Sequence, residues 1–408
     1  MLYRAGSDLL AKGAMFIVTV VAARRLSRVD FALFALASTL GWLASVAADF
    51  GLQMHLARAV AQAPRSGRAL LARWWPVRVG TGVGALAVAV VTLPFTGAAA
   101  TWPAWLFLLA YAANGATEFL YYFFRGCGRT DLESTLTLVQ RGAMLLLALG
   151  ALAVAPGAGW LAVAMLVPAV LGLAAALVLA RSMRMADRAE TIPSIPRGQA
   201  YVRDVAPIGL GILLSALYFR IDVFLLQHWS GDAAVGVYNA MFRLVEALRL
   251  FPAAVLAVAL PTLARADDRG PLTALATPMS VAALAAAAVG WAVAPWLVRA
   301  LYGAAFLDGV PALRVLLLSL PLMALNYALT HQLIGWHGHR AYAATCAAAL
   351  AVNLFLNWRW IPAIGMRGAA WSTLWTEVVL TCGCLIALRQ FSAGTSARST
   401  SGMLEAES

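Results

Sequence analysis

The sequence predicts an all-α integral membrane protein of about twelve transmembrane helices, arranged as two six-helix bundles related by a pseudo-two-fold axis along the membrane normal. Three observations lead there. Of the 408 residues, 62% are apolar and only 12% are charged, about half the charge of an ordinary soluble domain. Uncharged runs long enough to cross a bilayer recur along the whole chain. The longest polar stretch, 181–204, divides those runs into six and six. The same composition excludes disordered and collagen-like chains, and four Cys in 408 residues exclude a disulfide scaffold.

A crossing helix needs about 20 mostly apolar residues. Residues 79–117 hold no Lys, Arg, Asp or Glu and are broken by Thr96-Gly97-Ala98 and Trp102-Pro103, so they make two helices and a bend. Residues 142–180 repeat the pattern around Pro156-Gly157-Ala158-Gly159. Single spans follow at 31–48, 270–298, 315–335 and 341–358, and charge-bearing ones at 9–26, 207–228, 234–263 and 368–388. The division is a first bundle over 1–180, a linker over 181–204, a second bundle over 205–391 and a Ser-rich tail over 392–408 that is expected to be disordered.

With the N-terminus inside, twenty basic residues fall between spans on the cytoplasmic side and seven on the other, which places both termini in the cytoplasm. Arg4 and Lys12 precede an apolar 13–23 that ends in a cleavage-like Val-Ala-Ala, the outline of a signal peptide. Arg24-Arg25 directly after that triplet, and the odd number of spans its removal would leave, argue for a retained first helix. The net charge is +12, and Lys12 is the only Lys among 30 basic residues. Scattered between hydrophobic spans, these charges do not form the basic face that nucleic acid requires. The four Cys have no metal-ligand spacing, and His337 and His339 have no acidic or Cys companion, so neither a metal nor a cofactor is expected.

Charges inside spans need a reason, because an Arg or Asp at a helix centre costs about 2.5–3.5 kcal/mol on insertion scales. On the eighth span Asn239, Arg243, Glu246 and Arg249 fall within an arc of about 120°. That stripe is either a structural seam, with Glu246 neutralising the Arg on each side at i±3, or one wall of a wet cavity with net positive charge. On the seventh, Arg220 and Asp222 diverge by about 160° and need separate partners; depth makes an Asp222–Arg243 pair feasible. Glu118 is expected to pair with Arg125 or Arg129. Glu377 sits about 15 Å into the last span among Ser372, Thr373 and Thr376, either as a proton carrier or as a hydrogen-bonded core carboxyl. Arg24, Arg25 and Arg28 oppose the orientation rule, by turning towards a cavity or by snorkelling to headgroups.

Several short motifs occur in order. The first half holds Ala22-Ala23-Arg24-Arg25-Leu26, Asp30-Phe31-Ala32-Leu33-Phe34 and Asp49-Phe50-Gly51-Leu52 followed by Arg58. The second holds Arg220-Ile221-Asp222, Val235-Gly236-Val237-Tyr238 followed by Arg243-Leu244, Pro261-Thr262-Leu263-Ala264-Arg265, Leu301-Tyr302-Gly303 and Gly365-Met366-Arg367-Gly368. In this the chain resembles the polysaccharide exporters, or oligosaccharide flippases, of the superfamily that also contains the multidrug and toxin extrusion antiporters and the lipid II flippase. The resemblance implies two bundles in a V around a cationic cavity that moves a polyprenyl-diphosphate-linked oligosaccharide between leaflets. It also implies cavity roles for Arg24 or Arg25, Arg58 and Arg243. Ala32 departs from the pattern, where a Gly is usual, and the chain has no helices beyond twelve, unlike many of the lipid II branch.

The expected function is therefore transport of a lipid-linked glycan for surface polysaccharide assembly across a bacterial cytoplasmic membrane, alongside other membrane proteins of that assembly. Arg24, Arg25, Arg58, Arg220, Arg243, Arg249 and Asn239 are the candidate diphosphate and cavity residues. Asp222, Glu246 and Glu377 are candidate coupling or structural charges. The alternatives are a proton- or sodium-coupled multidrug antiporter, a lipid II flippase and, lower in rank, a membrane glycan polymerase or ligase. The antiporter would need acids in the first-bundle cavity, where only Asp8, Asp49 and Glu118 stand, all near its cytoplasmic end. The enzyme would need a catalytic constellation, and none is found.

Overall fold

The computed structural model of the protein describes residues 2–96, 101–183, 206–249, 270–336 and 338–406. The first half consists of α1 (Leu2–Arg25), α2 (Arg28–Asp49), a short α3 (Leu52–Gln62), α4 (Gly67–Thr92), α5 (Trp102–Gly126), α6 (Thr130–Val154) and α7 (Ala158–Ser182). The second begins with α8 (206–230) and α9 (232–248), one continuous run parted at Gly231, whose φ of 74° no helix adopts. It continues with α10 (Gly270–Tyr302), α11 (Val310–Gly335), α12 (His339–Ile364) and α13 (Met366–Ala406).

Ten helical stretches have the length and composition to cross a membrane. One of them is the α8–α9 run, which covers two predicted spans, and α5, with 25 residues, is not among them, so the described residues show a multi-pass membrane protein with ten such stretches where about twelve spans were predicted. α3 has 11 residues, about 16 Å of helix, and is too short to cross. It buries Leu52, Leu56 and Val60 on one stripe and follows a sharp turn in which Phe50 and Gly51 have φ of 41° and 83°.

Two parts of the predicted layout fall partly outside the described residues: the linker from 184 onward, and 250–263 of the eighth span. The tail differs from expectation. Its backbone continues α13 as helix to Ala406, because 392–406 contains no proline and adding residues to an existing helix costs far less than nucleating one.

The packing repeats between the halves. In the first, α1 packs on α6, α2 on α5, α5 on α7, α6 on α7 and α4 on α5. In the second, the α8–α9 run packs on α12 and α11, α11 packs on α13, α12 on α13 and α10 on α11. Renumbered by half, these are the same neighbours, as a pseudo-two-fold requires. Gly236 meets Phe31, and a Cβ at Gly236 would lie 3.3 Å from the ring, so the equivalent ends of α2 and α9 touch.

The apolar core shows how the halves meet. We call the face where the chain starts the near face, and the opposite one the far face. Towards the far face one cluster joins both halves, from Phe31, Phe34 and Phe107 to Tyr238, Phe242 and Leu316. Towards the near face each half has its own cluster, around Leu56, Phe119 and Phe123 in the first and Leu329, Tyr342 and Cys346 in the second. The halves thus share one core at the far end and have parted cores at the near end, where they still meet at Gly209 of α8 against the Phe50 backbone.

Candidate functional site

A cavity of about 390 Å³ lies in that parting, lined by Lys12, Met15 and Phe16 of α1, Trp42 of α2, Arg243, Glu246 and Ala247 of α9 with Arg249 just beyond it, and Tyr327 of α11. Burial along the central helices shows which way it opens. In α2, residues 31–39 are all buried, whereas Trp42 and 44–47 are partly exposed. In α9, 235–242 are all buried, and Arg243, Glu246 and Ala247 are partly exposed. Because α2 and α9 both run from the far face to the near one, the cavity is closed towards the far face and exposure rises below that closure, although Ala48 and Asp49 at the near end of α2 are buried again.

The charged wall is built around Glu246. One of its carboxylate oxygens accepts from Arg243 Nη1 at 2.8 Å, and the other accepts from Arg220 Nη2. The partners are therefore Arg243 and Arg220 of α8, and not the Arg243 and Arg249 expected from i±3 spacing. A neighbouring helix supplies what the local pattern could not show. Arg249 instead lies 4.3 Å over the Phe219 ring. Arg220 is 4% exposed and packs 4.7 Å from the Phe242 ring centre, so it stands behind the wall. The Arg243 side chain is 19% exposed and lines the cavity, but its Nε is buried and without a hydrogen-bond partner among the described residues. Three cations and one carboxylate line the cavity, a net positive wall.

The expected Asp222–Arg243 pair does not form. Asp222 accepts from Tyr238 Oη at 2.5 Å and from its own helix at Val223 N, 2.9 Å, so the neutral phenol of the next helix satisfies it. As the angle of divergence requires, Arg220 and Asp222 find separate partners. Glu377, 3% exposed, accepts from Asn326 Nδ2 at 2.7 Å, and Asn326 in turn accepts from Thr381. It belongs to the second-half core, away from the cavity lining. Asn239 is fully buried, and neither end of its amide has a hydrogen-bond partner among the described residues.

Three Arg suggested by the resemblance lie outside the cavity lining. Arg24 donates from Nε to Leu301 O at 2.6 Å and from Nη2 to Ala300 O, which ties the far end of α1 to the far end of α10. Arg25 is exposed at the far-face turn, and Arg58 is exposed on α3 at the near face. Glu118 also lacks its expected partners, because Arg125 makes a two-pronged bond to Glu133 and Arg129 pairs with Asp131 at 2.8 Å. A bidentate Arg–carboxylate fit outcompetes the nearer choice in sequence.

Lys12, Phe16, Trp42 and Tyr327 were not singled out as cavity residues from the sequence. The available signal was the i, i+3, i+4 spacing of Lys12, Met15 and Phe16 on α1. Arg78 is another surprise. Placed among the cytoplasmic charges, it is 3% exposed and sits between α2, α4 and α5, where a Cβ at Gly115 would come within 2.8 Å of it.

With this geometry in view, the sequence profile of the polysaccharide biosynthesis protein family matches residues 1–267. The chain belongs to that family. No curated protein sequence matches the chain. Solved structures with the same fold include a multidrug resistance MATE family transporter of the MOP superfamily in its inward-facing conformation, at TM-score 0.64 and 16% identity over 96% of this chain and 95% of that one. The lipid II flippase MurJ in an inward closed conformation aligns at 0.63 and 12%, over 95% and 88%. A eukaryotic MATE transporter, AtDTX14, aligns at 0.63 and 15%, over 97% of each chain. This family member thus shares its fold with those transporters.

Proposed function

We propose that this protein is a flippase that carries a polyprenyl-diphosphate-linked oligosaccharide from the inner to the outer leaflet of a bacterial cytoplasmic membrane, for surface polysaccharide assembly. The near face is then the cytoplasmic one, both termini lie inside, and the two bundles of 1–180 and 205–391 rock about the far-face seal. The carrying observation is the cavity between the halves, walled by Lys12, Arg243 and Arg249 against the single carboxylate of Glu246. A diphosphate diester brings two negative charges, and guanidinium groups bind phosphate with charge-assisted hydrogen bonds. The Arg243 guanidinium, part of that lining and 19% exposed, gives such a headgroup a charged donor. An exporter of cationic drugs would need the opposite sign of wall.

Depleting the protein in its native cell and identifying the polyprenyl-linked saccharides by mass spectrometry tests this reading. An oligosaccharide diphospholipid accumulating on the inner leaflet is the expected result. Unchanged lipid-linked saccharides, with altered tolerance to cationic drugs, would overturn it.

A further inference from the structure

The cavity has a second chemistry that its charges do not explain. Phe16 and Met15 on α1 and Trp42 on α2 make an apolar, aromatic wall in the first half, facing Arg243, Glu246, Arg249 and Tyr327 of the second. Phe16 and Tyr327 also pack against the cores of their halves, whereas Trp42, partly exposed on a wall shared with four charged groups, belongs to no core cluster.

The placement of Trp42 is enforced. Its neighbour Gly41 lies against Tyr111 of α5, where a Cβ would sit 2.9 Å from the Tyr111 Cβ, so α2 presses on α5 through a bare backbone. The next residue points about 100° further round the helix, away from α5 and into the opening. Depth places it at the level where a headgroup would sit. Trp42 is about 10 Å above the near end of α2 by helical rise, and it lines the same cavity as Arg243. Lys12 lies about 6 Å nearer the mouth than Phe16.

We infer that Trp42, with Phe16 beside it and Tyr327 opposite, forms a pyranose-binding subsite that stacks on the first sugar of the substrate while the charged wall of the second half holds the diphosphate. This rests on the flippase reading and adds to it the residue that recognises sugar as distinct from phosphate. The C–H face of a pyranose is apolar and slightly positive, and the indole face is the largest negative π surface available to it. A cavity of about 390 Å³ has the size of a small-ligand site, room for the linkage region and not for a whole glycan. Phe16 and Trp42 stand in the first half and Arg243 and Arg249 in the second, with Lys12 a first-half cation nearer the mouth, so a sugar on the diphosphate meets an aromatic surface that the diphosphate itself does not need.

The test measures binding to the purified full chain in lipid nanodiscs. The probes are farnesyl diphosphates whose far phosphate carries glucose, galactose or N-acetylglucosamine, with a methyl ester as a comparator of equal charge. The wild type is expected to bind at least one sugar probe about tenfold more tightly than the methyl ester. Trp42→Ala removes that preference while keeping methyl-ester affinity, and Trp42→Phe keeps part of it. Arg243→Ala weakens every probe. A wild type that binds the methyl ester as well as all three sugars overturns the subsite and leaves the flippase reading standing. A Trp42→Ala protein that retains the preference, or weakens all probes alike, overturns it too. Failure of the wild type to bind any of the four counts against both.

Discussion

Arg24 at the far end of α1 donates to the carbonyl oxygen of Leu301 at 2.6 Å, and to that of Ala300, at the far end of α10. The last carbonyls of a helix lack partners within it and carry its negative pole. Gly303 returns its N–H to Val298 and Arg299, which leaves 300 and 301 to Arg24. One guanidinium from the first half thus caps a helix of the second, beside the edge-on contact of Phe31 with Phe306 at 6.0 Å. If this is the latch of the far-face seal, Arg24→Ala should release it and Arg25→Ala should not. A reporter cysteine in place of Ala32, which is fully buried under the seal, should react several-fold faster with an impermeant maleimide in the Arg24→Ala protein. Equal labelling in both variants would remove Arg24 from the seal.

The Arg220–Glu246–Arg243 triad makes a prediction about stability. Among the described residues Glu246 is the sole hydrogen-bonding partner of the Arg220 guanidinium, which is 5% exposed, whereas Arg243 is 19% exposed. Glu246→Ala leaves a buried cation uncompensated and should cost about 3–5 kcal/mol. Replacing both members of the buried pair, as in Arg220→Met with Glu246→Met, should recover most of that loss. Thermal unfolding in detergent measures both, and a double variant no more stable than the single one would contradict the account.

Much of the fold was legible because bilayer length and turn chemistry are local. The breaks at Pro156-Gly157 and at Trp102-Pro103 placed helix ends to within a few residues. The stripe of Arg243, Glu246 and Arg249 was also legible, since helical period alone puts them on one face. Partners across helices were not. Asp222 was matched with Arg243 by depth, but depth says nothing of rotation, and Tyr238 takes the carboxylate instead. Arg58 matched a family position by sequence, yet α3 lies on the near face with Arg58 outward. Trp42 escaped notice because an aromatic in an apolar span has the same pattern whether it faces lipid, core or cavity. Gly41 against Tyr111 decides that only in three dimensions.

The bond from Tyr238 to Asp222 joins α8 and α9 across the kink at Gly231. Tyr238 and Asp222 are both buried, at 0% and 1% exposure. Tyr238→Phe keeps the ring packed beside Phe242 but deprives a buried carboxylate of its donor, so it should lower stability by about 1–3 kcal/mol. Asp222→Asn should cost less, because an amide can still accept from the phenol. The order of the two unfolding temperatures checks this, and a Tyr238→Phe protein as stable as the wild type would mean that the carboxylate has another partner.

Transport itself should separate the Arg residues that lie in the cavity from those that only match the family pattern. Arg243→Ala removes a guanidinium and one positive charge from the wall, while Glu246 keeps Arg220 and the fold keeps its pair. Loss of charge-assisted hydrogen bonds worth about 1.5–3 kcal/mol corresponds to roughly ten- to hundredfold weaker binding. Arg58→Ala, on an exposed face of α3, touches neither the cavity nor the seal and should leave transport within about twofold of wild type, as expected of a surface substitution. Complementation of a depleted strain, scored by surface polysaccharide at matched protein levels, distinguishes the two. If Arg58→Ala fails as severely as Arg243→Ala, then the near-face helix takes part in capturing the substrate, and the cationic site extends from the cavity to its mouth.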